Sequence, residues 1–161
     1  MMGLNLIKNS YSAQKNKYLD ALLRQYLKRD IRKPMLLGIH HAAIICSDYE
    51  KSKHFYVTIL GLKPLAEHYR AQRSSFKLDL QLPDLSQIEL FSFTKPPQRP
   101  SYPEACGLRH LAFRVQSIDA TVAHLQSHNI EVEAIRIDEY TGKQFTFFSD
   151  PDGLPLELYQ V

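Results

Sequence analysis

Four residues of this chain have the types and the spacing to hold a metal ion: His41, Glu89, His110 and Glu157. His41 closes the run Gly-Ile-His-His, and Glu89 sits in Gln-Ile-Glu-Leu-Phe. His110 closes Gly-Leu-Arg-His, and Glu157 sits in Pro-Leu-Glu-Leu-Tyr. His41 and Glu89 are 48 residues apart, and His110 and Glu157 are 47 apart. The repetition predicts a duplicated module. Taken singly, each residue has a plainer role, a core histidine or a glutamate at a sheet rim. A carboxylate flanked by Ile and Leu, and again by Leu on both sides, needs compensation if buried. Neutral imidazole suits Zn, Ni, Cu and Fe, and carboxylate extends the choice to Mn and Mg. Two modules about a pseudo-two-fold axis would bring two imidazoles and two carboxylates to one point. Positions would remain there for water or a chelating substrate.

The elements that must position these residues follow from pattern. Residues 37–46 read as a strand with Ile39, His41, Ala43 and Ile45 on one face. Residues 49–60 place Tyr49, Phe55, Tyr56, Ile59 and Leu60 largely on one helical face, with Asp48 as N-cap and Gly61 as terminator. Residues 62–69 suggest a short strand. Residues 74–82 alternate, with Phe76, Leu78, Leu80 and Leu82 opposite Lys77, Asp79 and Gln81. Residues 86–93 carry Glu89. The proline-rich stretch 94–106 reads as a linker. The pattern then restarts: strand 108–115, helix 118–128 begun near Ser117, and strands 130–137, 144–149 and 154–160. The last two are joined antiparallel by Asp-Pro-Asp-Gly at 150–153. The expected division is a helical extension over 1–34 and a domain over 35–161, made of modules 37–93 and 107–161 about the linker.

Charge separates the extension from the rest. Residues 1–34 hold eight Lys and Arg against two Asp, whereas 35–161 hold twelve basic and fifteen acidic residues. Leu19, Leu22, Leu23, Tyr26 and Leu27 form one apolar stripe over 17–30, ended by Pro34. A basic amphipathic helix that packs on the core or a partner subunit explains the pI near 8.8 without a nucleic-acid role. A second reading begins translation at Met35. The N-terminus lacks the apolar core of a secretory signal, and no run is long enough to span a bilayer. Cys46 and Cys106 lie in no CxxC pattern and read as buried free thiols of a cytoplasmic protein. His40 points away from His41, and His54, His68, His124 and His128 read as solvent-facing.

With these residues in view, the chain resembles the vicinal oxygen chelate superfamily, that of glyoxalase I, and within it the small bacterial YaeR-type proteins. The markers are His41 with Ser-Asp at 47–48, Lys-Ser-Lys-His-Phe-Tyr at 51–56, Leu-Gly-Leu at 60–62 and Ile-Glu-Leu at 88–90. They continue with Arg-His-Leu-Ala-Phe at 109–113 and Asp-Pro-Asp-Gly-Leu-Pro-Leu-Glu-Leu at 150–158. The resemblance implies an α+β fold of two βαβββ modules forming a cupped mixed sheet around one divalent metal, in a homodimer. His41, Glu89, His110 and Glu157 fall on its four ligand positions, with Zn or Ni expected and Mn or Fe as further choices. The implied reaction is that of a glyoxalase I-like lyase or isomerase. Glu157 or Glu89 would move a proton beside a carbonyl, and the metal would stabilise an enediolate. Arg114 and Lys143, the latter in the loop Glu-Tyr-Thr-Gly-Lys (139–143), are candidate substrate contacts. Glyoxalase I carries Arg and Asn four residues after its first and second ligands, where this chain has Ile45 and Phe93. That difference speaks against a glutathione hemithioacetal. The alternatives are a non-catalytic small-molecule binding or resistance protein and an iron-dependent dioxygenase.

Overall fold

A computed structural model describes residues 36–161; the basic helix expected over 17–30 lies outside the described residues. The first module runs β1 (His41–Cys46), α1 (Tyr49–Lys53, continuing as a π-helical turn over His54–Ile59), β2 (Lys63–Arg70), β3 (Ser75–Gln81) and β4 (Gln87–Ser92). The second runs β5 (Leu111–Val115), α2 (Ile118–Ser127), β6 (Arg136–Ile137), β7 (Gln144–Ser149) and β8 (Pro155–Gln160). Each forms a four-stranded sheet with the same topology, β1-β4-β3-β2 and β5-β8-β7-β6. In both, the first strand pairs parallel with the last, and the remaining pairs are antiparallel. This is the expected α+β architecture of paired βαβββ modules.

Alternation explains how the strands sit. Ile44, Cys46, Leu78, Leu80, Ile88 and Leu90 are buried, while His41, Lys77, Asp79 and Glu89 take the opposite face. In the second module Leu156, Leu158, Thr146 and Phe148 face the core. The helices close that core with Phe55, Tyr56, Ile59, Ile118 and Leu125. Each buried aliphatic or aromatic side chain contributes about 1.5–3 kcal/mol.

Both helices start where the sequence predicts. The Asp48 carboxylate accepts from Lys51 N (3.0 Å), and Ser117 Oγ accepts from Ala120 N (3.3 Å). The end of α1 differs from the expectation of a uniform α-helix. Leu60 N donates to Phe55 O at 2.9 Å, a bond five residues back, and Leu62 N donates to Tyr56 O at 3.0 Å. Gly61 (φ 73°) then turns the chain into β2.

One other expectation needs correction. The strand anticipated over 130–137 reduces to Arg136–Ile137 plus an isolated bridge between Val132 and Phe148. The strand suggested near 62–69 is present as Lys63–Arg70, with an irregular register at Pro64–Ala66.

The modules are joined by polar bonds across their helical side. The Tyr56 hydroxyl donates to Asp150 Oδ2 at 2.9 Å, and both groups are buried. Asp150 Oδ1 also accepts from Asp152 N (2.9 Å) and Leu154 N (2.8 Å), which fixes the Asp-Pro-Asp-Gly turn. Burial still raises the Asp150 carboxyl above its ordinary range and pushes the Tyr56 phenol up. Asp152 Oδ2 accepts from Ser47 N at 3.0 Å, and His124 Nε2 donates to Ile59 O at 2.8 Å. His124 is exposed, as the sequence suggested, and its ring also bonds across the module junction. Cys46 is buried as expected, but Cys106 is exposed, since the linker that carries it does not enter the core.

Candidate metal centre

The predicted ligands meet in pairs. His41 Nε2 lies 3.6 Å from Glu89 Oε2, and His110 Nε2 lies 3.0 Å from Glu157 Oε2. The pairing has an identical structural origin in both modules. Ala43 on β1 is opposite Glu89 on β4, and His41 lies two residues before Ala43 on the same face. Ala112 on β5 is opposite Glu157 on β8, and His110 lies two residues before Ala112. A methyl group beside each carboxylate leaves room for an ion that a larger neighbour would fill. The Glu89 and Glu157 side chains are 14% and 13% exposed, and His41 and His110 are 39% and 35% exposed, so each pair opens onto the face of its sheet away from the core.

The donors fit a divalent ion. Each pair offers one imidazole nitrogen and one carboxylate oxygen, a set suited to Zn, Ni, Mn or Fe. Ligand atoms about 2.0–2.2 Å from a common ion sit roughly 3.0–3.5 Å apart at tetrahedral or octahedral angles, close to both separations. The pairs do not merge: among the described residues no three His, Cys, Asp or Glu side chains gather at one point. Each module thus presents one His–Glu pair. β1 and β5 are the strands nearest the two His–Glu pairs, and each is bonded to one strand alone, which leaves an open edge. His40 does not turn away from His41 as expected: it is exposed and its Nδ1 is 2.9 Å from His41 Nδ1, a contact that helps to orient the His41 ring with Nε2 toward Glu89.

The surroundings of the two carboxylates differ. Lys77 Nζ donates to Glu89 Oε1 at 2.9 Å and to Asp79 Oδ1 at 2.6 Å. The bonds to Asp79 and Glu89 hold the Lys77 ammonium above its ordinary range. In the second module Phe147 and Phe145 stand at the register positions of Asp79 and Lys77; Phe147 lies directly across from Glu157, and its ring stands edge-on to the His110 ring at 5.2 Å. Glu89 is neutralised by a lysine; Glu157 sits against an aromatic wall.

The predicted substrate contacts lie further out. Arg114 is exposed and pairs with Asp84 at 2.8 Å, across to the turn before β4. Lys143 is exposed at the end of the 138–143 loop, where its carbonyl accepts from Asp138 N at 2.9 Å. That loop is tied to Tyr159, two residues beyond Glu157 on the same face: the Tyr159 hydroxyl donates to Asp138 Oδ2 at 2.9 Å and bonds Thr141 Oγ1. The sequence reading missed Lys77 and Arg70. Arg70 ends β2 and lies over Phe91 and Phe93 of the Glu89 face, with Cζ 4.7 and 5.6 Å from the ring centroids. The alternation of 74–82 already placed Lys77 on the face of Asp79; Arg70 required the full extent of β2. A separate cavity of about 740 Å³ lies between α1 and the 129–133 segment, and none of the four candidate ligands lines it.

This fold defines the class, and comparison with known proteins agrees. The chain belongs to the Glyoxalase/Bleomycin resistance protein/Dioxygenase superfamily, whose model matches residues 38–158. It is 63% identical over 125 residues to the uncharacterised protein YaeR of Escherichia coli, covering 78% of this chain and 97% of YaeR. The crystal structure of a glyoxalase family protein from Enterococcus faecalis superposes with a TM-score of 0.73 at 50% identity, covering 77% of this chain and 98% of that one. A 2-epi-5-epi-valiolone epimerase from Actinomyces is 26% identical over 149 residues, 80% of this chain and 81% of the epimerase. The superfamily includes enzymes. Among the described residues no helix is long and apolar enough to cross a membrane.

Proposed function

We propose that this protein is a divalent-metal-dependent lyase or isomerase. Its substrate is a small molecule that chelates through two adjacent oxygens, as in an α-hydroxycarbonyl compound. The observation that carries this reading is the matched register of the two His–Glu pairs. The ion, Zn or Ni before Mn or Fe, supplies Lewis-acid polarisation of the chelated oxygens. His41, Glu89, His110 and Glu157 hold it. Glu157 takes the proton from the carbon beside the polarised carbonyl and returns it to a neighbouring position. The assignment rests on the asymmetry of the carboxylates: Lys77 occupies Oε1 of Glu89, whereas Glu157 has an apolar neighbour across the strand. A relative named as an epimerase supports proton transfer at carbon, though it does not fix the substrate. Ile45 and Phe93, at the positions where glyoxalase I binds glutathione, favour a substrate other than its hemithioacetal. A full set of four ligands is more than a module that merely holds a small molecule requires.

The working form in this reading is a cytoplasmic homodimer. The half-site of module one from one chain meets the half-site of module two from its partner, along the open edges of β1 and β5. The 138–143 loop, fastened to Tyr159, places Lys143 at the rim to meet the substrate. Arg114, held by Asp84, serves the outer edge.

Elemental analysis of the purified full chain, dialysed without chelator, tests the centre. About one ion per chain is expected in the wild type, and none in His41→Ala or His110→Ala. Co-expressing these two variants should restore one intact site per mixed dimer if ligands come from two chains. No ion in the wild type, and no uptake of offered Zn, Ni or Mn, would refute the enzyme reading. Metal-replete wild type without restoration in the mixed dimer would refute the shared site alone.

A further inference from the structure

The two modules each carry an arginine stacked on paired phenylalanines, and the two arginines are not equivalent. Arg136 lies over Phe145 and Phe147, with Cζ 4.9 and 5.3 Å from the centroids, and its Nη2 donates to Glu133 at 2.9 Å. Its charge is compensated at home. Arg70 lies over Phe91 and Phe93, whose rings are stacked 16° from parallel. Its Nε and Nη2 donate to Ser75 Oγ at 3.1 and 2.7 Å, a neutral acceptor on a buried residue. Among the described residues no carboxylate pairs with Arg70, although Arg109, Arg114 and Arg136 each have one. A guanidinium has five N–H donors in a fixed plane. Ser75 engages one edge of this plane, and the aromatic rings set its tilt. The remaining donors are oriented and have no protein acceptor among the described residues.

The arginine is close to the candidate centre. Phe91 follows Glu89 by two residues on the same face of β4, about 7 Å along the strand. Lys77, 5.9 Å from the Phe91 ring, is already shared between Asp79 and Glu89, so its charge is spent.

We infer that Arg70, seated on Phe91 and Phe93 and anchored by Ser75, is a subsite for an anionic group of the substrate, a carboxylate or a phosphonate-type oxyanion. This rests on the chelating substrate proposed above and extends it: the molecule has adjacent oxygens at one end and an oxyanion at the other, roughly one pleat of a strand away. Phe93, which removes an amide from a glutathione pocket, here becomes part of the platform that aims a guanidinium.

Three hydroxamates serve as probes, all chelating through adjacent oxygens: butyrohydroxamic acid is neutral, succinic monohydroxamic acid adds a carboxylate, and phosphonoacetohydroxamic acid adds a phosphonate. Calorimetry on the zinc-loaded full chain should show at least one anionic probe binding about tenfold more tightly than the neutral one. The stronger of the two identifies the oxyanion. Arg70→Met should abolish this preference while metal content and affinity for the neutral probe stay unchanged, and Arg136→Met should keep it. A preference that survives in Arg70→Met, or equal binding of all three probes by the wild type, would overturn the subsite. Failure to load metal would count against the proposed function instead. The subsite would then be judged in metal-free protein from the Arg70 Nε–H resonance during titration with methylphosphonate or butyrate. A saturable shift at Arg70 and none at Arg136 sustains it, and no shift refutes it.

Discussion

Replacing Tyr56 with Phe removes one oxygen atom at the junction of the modules. That oxygen donates to a carboxylate that is itself buried, and the other two donors to Asp150 are backbone N–H groups of its own turn. A hydrogen bond to a charged group is worth about 1.5–3 kcal/mol, and no water replaces the lost donor readily at such a site. A cost of about 2 kcal/mol at neutral pH lowers the melting temperature of a chain this size by roughly 4–8 °C. The pH dependence has a definite sign. The folded-state pKa of Asp150 is raised by burial, so the folded state holds a proton the unfolded state has released. The native protein therefore loses stability as pH rises from the ordinary carboxylate range through the folded value of Asp150. The Tyr56 hydroxyl opposes that shift, and Tyr56→Phe should enlarge it. The penalty of the variant is then greatest when Asp150 is ionised and shrinks on acidification, when a neutral carboxyl needs its donor less. Thermal unfolding of metal-free wild type and variant at fixed concentration, at pH 7 and near pH 4.5, measures this. A difference that grows toward acid, or a neutral-pH shift below about 1 °C, would refute the reasoning.

Further expectations follow from the same geometry. Lys77→Met removes a cation that competes for Glu89, so divalent-ion affinity measured against a chromophoric chelator should tighten about tenfold, while the metal-free protein melts earlier because Asp79 and Glu89 face each other uncompensated. Burial pushes the Cys46 thiol up to about 11, whereas Cys106 is exposed. A disulfide reagent at pH 8 should titrate one fast thiol, absent from Cys106→Ser and kept in Cys46→Ser. Ser117→Ala deletes the N-cap of α2 and should cost about 1 kcal/mol in urea unfolding with the metal site intact.

Much of the fold was legible because its signals are local and strong. The alternation about Leu78 and Leu80, the caps Asp48 and Ser117, and the Asp-Pro-Asp-Gly turn each specify one element and its direction. The repetition of His41 with Glu89 in His110 with Glu157 was legible in the sequence, since nearly equal spacings of 48 and 47 in a repeated pattern point to matching strands. The sequence reading gathered all four at one point, however, and the structure brings them together in pairs. Less local features escaped. The 130–137 segment has strand-like residues, but few of them find a partner strand, and pairing is not a property of the segment itself. Lys77 matters because β3 lies beside β4, and Arg70 because β2 extends far enough to bring it over Phe91 and Phe93. The bond of the exposed His124 escaped because its acceptor is a carbonyl 65 positions away.

The π-helical turn in α1 accounts for the unequal spacings. From His41 to the cap Asp48 is 7 positions, as from His110 to Ser117. From Gly61 (φ 73°) to Glu89 is 28, as from Asn129 (φ 60°) to Glu157. Between cap and left-handed terminator the first helix takes 13 positions and the second 12. The bond from Leu60 back to Phe55 is where the additional residue is accommodated. In genetic terms, the halves differ by one codon between histidine and glutamate, and the helix absorbs that codon as a bulge instead of passing it on as a frameshift in strand register. A slip of one residue in β4 would have turned Glu89 to the core and Leu90 to the face of His41. Removing one residue from the bulge should therefore restore an ordinary α-helix and leave both glutamates where they are.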